Sequence, residues 1–191
     1  MLPAAATRQP DSTTCGPSVL VMAALLESPA LRARVEGDGA LDAQRARFAA
    51  AVRDLHRRLA RPRLRGRLQA PWPRALGTSP WAVAHELAHQ RDRRHRTLPV
   101  RVGDRAAAWA VAYESVATRT PVALLVGNRL RPAHWVLLTA TSGPELTVYD
   151  PSARALAAAG SGGTVRLTRE QFVGGTCRLS GWATPWALVL G

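Results

Sequence analysis

The stretch Gln9-Pro10-Asp11-Ser12-Thr13-Thr14-Cys15-Gly16-Pro17-Ser18, running straight into the apolar segment Val19 to Leu26, constrains this chain more than any other. Thr13 or Thr14 can cap a helix there, Gly16 and Pro17 suit its first turn, and Val19, Leu20, Met22, Ala23 and Leu26 recur at helical spacing. Cys15 then falls at a helix N-terminus, where open N–H groups and the positive end of the macrodipole favour a thiolate. A cysteine so placed needs a base. His134 stands directly before the apolar run Trp135 to Leu138, and Asp150 ends the next such run, giving nucleophile, base and orienter in the order Cys, His, Asp. Acyl transfer by a thiol further requires donors aimed at the developing oxyanion and an acid for the leaving group.

Helical spacing recurs downstream. Leu41, Phe48, Val52, Leu55 and Leu59 share one face of a helix over Leu41 to Ala60, with Arg45, Arg53, Arg57 and Arg58 largely off it. Glu27 to Gly39, with Pro29, Gly37 and Gly39, reads as a helix end and loop, and Arg61 to Ser79, rich in Pro, Gly and Arg, as a long connection. Ser79-Pro80 opens a helix to about Gln90, Leu98 to Val102 is a short strand, and Asp104 caps a helix from Arg105 to Ala117. Then come sheet signals. Pro121 to Val126, His134 to Ala140, Glu145 to Tyr149, Thr164 to Leu167 and Gly181 to Leu190 read as strands, and Thr168 caps a short turn of helix to Phe172. Thr141-Ser142-Gly143-Pro144 makes a hairpin of the second and third strands, so antiparallel pairing carries Asp150 back towards His134.

The pattern Gln9, Cys15-Gly16-Pro17, His134-Trp135-Val136 and Tyr149-Asp150-Pro151 resembles the papain-like cysteine peptidases, and most the bacterial group that cuts bacteriocin leader peptides after a double glycine. The resemblance covers roughly residues 8–27 and 121–151, and residues 28–120 match nothing, a helical and loop region of variable type. It implies an α+β papain-like fold in which an N-terminal helical layer carrying Cys15 packs on a C-terminal antiparallel sheet carrying His134 and Asp150. It also implies that Cys15 attacks a carbonyl, His134 takes and returns the proton, and Asp150 holds the imidazole, with Gln9 and the Cys15 N–H donating to the oxyanion. Arg131, with Arg129 at the cleft mouth, and Trp135 beside His134 are the candidate substrate-binding residues. The expected reaction is cleavage of a peptide or isopeptide bond through a thioester, without cofactor or metal, on a peptide or protein substrate. If the resemblance extends to specificity, small residues such as glycine precede the cut.

The length of 191 residues suits one well-buried domain, here taken as 1–191. No apolar run is long enough to span a bilayer, and Met1 to Arg8 lacks the basic and apolar regions of a signal peptide, so a cytoplasmic location is expected, with export by a route lacking such a signal left open. The two cysteines, Cys15 and Cys177, make no disulfide framework, and Cys177 reads as structural. A formal charge of +13 suggests an acidic partner, but every basic residue is Arg, Lys and Ile are absent, and Asn128 is the only Asn. GC-rich coding explains that bias at least as well. Sparse aromatics among the arginine runs make nucleic acid the weaker partner. A short low-complexity stretch lies near Ala157 to Gly163.

Two rival readings come from other classes. His85-Glu86-Leu87-Ala88-His89 is a literal HExxH, in which histidines one turn apart bind zinc and the glutamate serves as base, with His95 or Glu114 as a third ligand. Asp92 stands where the metzincin pattern has glycine, and no methionine follows the helix. A solvated polar helix face explains both histidines better. The second rival is a non-catalytic binding module for an acidic partner that keeps the fold.

Overall fold

The structure, a computed structural model, describes residues 2–73, 76–152 and 164–191. After a 3-10 turn at Ala4–Thr7 come helices α1 (Cys15–Glu27), α2 (Pro29–Glu36) and α3 (Leu41–Leu59), the strands β1 (Arg63–Leu64) and β2 (Arg67–Leu68), and α4 (Pro80–Arg91). The chain continues through β3 (Arg96–Pro99), α5 (Arg105–Ala117), β4 (Val122–Gly127), β5 (Pro132–Ser142), β6 (Glu145–Tyr149), β7 (Thr164–Leu167), α6 (Arg169–Gly174) and β8 (Thr184–Leu190). The low-complexity stretch near Ala157 to Gly163 lies outside the described residues.

Six strands form one antiparallel sheet in the order β3-β8-β4-β5-β6-β7. Their apolar runs are nearly continuous because helices cover both faces. Ala123, Leu125, Trp135, Leu137, Ala187 and Val189 pack with Val19, Leu20, Phe48, Val52, Val83 and Leu87 of α1, α3 and α4. Their alternating neighbours Leu124, Val126, Val136, Leu138 and Leu188 pack with Trp109, Ala112 and Phe172 of α5 and α6. The fold is thus α+β, with α1, α3 and α4 packed against one face of the sheet and α5 and α6 against the other, where the sequence reading has only one helical layer.

Three local readings are corrected. Residues 27–39 contain a second helix, because Ser28 caps it through Leu31 N at 3.2 Å and Pro29 occupies its first turn rather than breaking it. The connection after α3 contains the hairpin β1-β2, whose turn residues Arg65 and Gly66 both take positive φ, 51° and 80°. The middle strand begins at Arg96 rather than Leu98 and pairs with β8 at the sheet edge. Among the described residues, no helix is long and apolar enough to cross a membrane.

Candidate active site

Cys15 opens α1 as the sequence pattern requires, but its cap is unusual. Thr14 occupies the cap position without a side-chain bond into the helix; its hydroxyl instead donates to Asp11 O at 3.1 Å and accepts from Asp11 N at 3.3 Å. Asp11 in turn accepts from the Thr13 amide at 2.9 Å and hydroxyl at 2.7 Å. The hydroxyl is therefore spent on the preceding turn, and none of the first-turn N–H groups of α1 is taken by its cap side chain. Behind Cys15, Gly16 lies so close to the next segment that a Cβ there would sit 2.6 Å from the Thr78 side chain, and a Cβ on Gly77 would start 4.0 Å from Cys15 Sγ. Residues 77–79 thus form a wall along the first turn of α1, where Cys15 is only 2% exposed.

That wall is held from both ends. Ser79 caps α4 by accepting from Ala82 N at 3.2 Å, Trp72 meets Trp81 edge-on at 5.1 Å between ring centres, and Trp135 Nε1 donates to Thr78 O at 2.9 Å. Trp135 has no exposed surface. Its indole therefore fixes the wall from inside and offers a ligand no face of its own.

The hairpin places the other two groups. Pairing of Leu137 with Tyr149 sets Asp150 beside Val136 and diagonal to His134. His134 Nε2 lies 2.7 Å from Asp150 Oδ1, and the Cys15 side chain adjoins the ring closely enough to favour its charged form. With Nε2 committed to Asp150, Nδ1 is the nitrogen left for the sulfur. Burial opposes the charged imidazole, yet the hydrogen bonds to Asp150 and Cys15 and their charges outweigh it, raising the His134 pKa to about 9. Burial likewise opposes the Asp150 carboxylate, and its bonds from His134, Ser180 and Ser152 prevail, holding it below the usual value.

Ser180 is the residue that sequence reasoning missed. It donates to Asp150 Oδ2 at 2.5 Å, hydrogen-bonds the Ser152 hydroxyl, and has a positive φ of 50° in the turn closed by Leu179 and Trp182. Ser152 N adds a bond to Asp150 Oδ1 at 3.0 Å. Only the Gly181 that follows hinted at a turn there, and nothing local pointed it at Asp150.

Gln9 joins the same region, its backbone N–H donating to Pro151 O at 2.9 Å. Its side-chain amide has no partner among the described residues, and Oε1 is buried. Arg131 is exposed on the loop before β5, where Asn128 Oδ1 accepts from the amides of Leu130 and Arg131 at 2.8 and 2.9 Å. Cys177 is buried, and burial pushes its thiol up to about 12.

The HExxH residues go elsewhere. Glu86, buried, faces Arg65 at 3.3 and 3.4 Å, while His89 is exposed. His95 sits by β3 with Nε2 3.2 Å from Arg91 Nη1. Among the described residues no three His, Cys, Asp or Glu side chains gather as a metal site. The base that a zinc reading needs is turned inward onto an arginine.

No family model matches the chain, and no curated protein matches it. Among solved structures, the chain is similar to the peptidase domain of Streptococcus ComA, a bifunctional ABC transporter involved in a quorum sensing pathway. The similarity covers 95% of this chain and 93% of that one, at 18% identity and a TM-score of 0.42.

Proposed function

We propose that this chain is a papain-like cysteine hydrolase that cleaves a peptide or isopeptide bond through a thioester. The observation that carries the proposal is the buried His134–Asp150 pair, 2.7 Å apart, whose imidazolium is favoured by the Cys15 side chain beside it at the head of α1. An imidazolium beside a sulfur at a helix N-terminus is the arrangement that makes a thiol an effective nucleophile. In the proposed reaction Cys15 Sγ forms a bond to the carbonyl carbon, and the C–N bond then breaks as His134 Nδ1 gives its proton to the amine. Water, deprotonated by the same ring, next cleaves the thioester. Gln9 Nε2 and the Cys15 N–H serve the oxyanion, and no side-chain hydrogen bond among the described residues commits the Gln9 amide elsewhere. Small residues such as glycine before the cut are part of the same proposal.

The test is alkylation of the two cysteines at pH 6, followed by peptide mass mapping. Cys15 should react faster than Cys177 and lose that advantage in His134→Ala. Equal rates that ignore His134 would sink the proposal. A second variant separates the zinc rival: Glu86→Gln keeps the contact with Arg65 but weakens it, so thermal stability should fall by about 1 kcal/mol, or about 2–4 °C. Hydrolysis should survive both that change and a chelator; loss of activity to either would restore the metal reading.

A further inference from the structure

A cavity of about 430 Å³ lies between the N-terminal segment and α3. Three arginines line it, Arg8 on one side and Arg45 and Arg53 on the other. None of the three has an ion pair or hydrogen bond among the described residues, whereas Arg47 faces Asp38 and both Arg57 and Arg58 face Asp54. The spacing is helical: Arg45, Ala49 and Arg53 stand on one stripe of α3, two turns and about 12 Å from end to end. Ala46 and Ala49 lie between, too short to fill the space. A single carboxylate, Asp42, opposes three guanidiniums there.

Gln9, proposed above to serve the oxyanion, lines the cavity, and its backbone N–H is tied to Pro151 O, one residue from Asp150. We propose that this cavity receives an acidic segment of the peptide substrate, with Asp or Glu side chains within a few residues of the bond cut. The proposal rests on the cysteine-hydrolase reading for the word substrate; the acidic ligand itself is argued from the cavity. A span of about 12 Å matches roughly four residues of extended peptide, so carboxylates along such a segment can meet Arg45 and Arg53 in turn while Arg8 closes on them from the other wall. A nucleic acid fits less well, because no aromatic side chain lines the cavity to stack a base.

The test uses the full chain carrying Cys15→Ser, so that binding is read without cleavage. Fluorescein-labelled hexaglutamate, hexalysine and a short oligothymidylate are titrated by fluorescence polarisation at about 25 mM and about 300 mM salt. Hexaglutamate should bind, more weakly at the higher salt, and hexalysine should not. Arg45→Ala with Arg53→Ala should weaken hexaglutamate by at least about tenfold, while Arg34→Ala with Arg94→Ala, which removes the same charge elsewhere, should cost less than about twofold. Because Arg45 and Arg53 are exposed and unpaired, the melting curve should be unchanged. The proposal is overturned if hexaglutamate does not bind, if its binding ignores Arg45 and Arg53, or if oligothymidylate binds more tightly through the same arginines. The alkylation experiment decides the hydrolase reading separately, since it reads Cys15 and this one reads the arginines.

Discussion

Replacing His134 with alanine should lower kcat/KM for a fluorogenic peptide amide by about ten-thousandfold, the upper end of what a positioned general acid and base contributes. In the wild-type chain the rate should fall on the alkaline side with a midpoint near pH 9, because that is where the buried ring gives up its proton. Below about 9 the imidazolium holds the proton that the departing amine needs; above it that proton is gone. The same group couples to folding. Its folded value lies above the ordinary 6.5, so its contribution to stability is complete below about pH 6.5 and is lost as pH rises through about 9. The thermal midpoint should therefore decline between those values in the wild type and decline less in His134→Ala. A rate still climbing at pH 10, or a variant keeping a tenth of the activity, would show that His134 does not serve as acid and base.

Much of this site was legible because its parts are carried by strong local signals. Cys15 heads a helix announced by Gly16-Pro17 and the apolar run behind it, and one short hairpin, read from Thr141 to Pro144, is enough to set Asp150 beside His134. Apolar runs bounded by turn residues mark the strands, and they run nearly unbroken because each buried residue on β4 and β5 serves one of two cores. What escaped depends on tertiary approach. Ser180 reaches Asp150 across 30 positions of chain, from a turn whose purpose no neighbour reveals. Trp135 looked like a ligand-facing aromatic beside the base, yet strand alternation turns it to the opposite side, under the 77–79 wall. The helix at Pro29–Glu36 hides among Pro29, Gly37 and Gly39, although Ser28-Pro29 repeats the cap and first-turn proline of Ser79-Pro80. The three unpaired arginines were visible only as charge, because their meeting around one cavity needs the N-terminal segment laid against α3.

Substitutions at Asp150 should separate charge from geometry. Oδ1 accepts from two N–H groups, His134 Nε2 and Ser152 N, while Oδ2 faces the Ser180 hydroxyl. In Asp150→Asn the amide oxygen must stay towards the two N–H donors, and the new NH₂ then faces Ser180 Oγ, which can turn from donor to acceptor. The imidazole keeps its orientation and loses only the neighbouring charge, so the rate should drop by about tenfold and the alkaline limb should move below pH 9. Asp150→Ala removes both, leaving a buried imidazole N–H unpaired, and should cost on the order of a thousandfold. Ser180→Ala tests the next link outward. Burial already opposes the Asp150 carboxylate, and losing one of its donors should raise its pKa. Because the folded value lies below the ordinary one, the anion that holds His134 is present above that value and lost as pH falls through it. The acid limb of kcat/KM should therefore move to higher pH in Ser180→Ala, with little change in rate at pH 7. An unmoved acid limb in Ser180→Ala would reduce Ser180 to a turn residue, and equal losses in Asp150→Asn and Asp150→Ala would mean that charge, not orientation, is what Asp150 supplies.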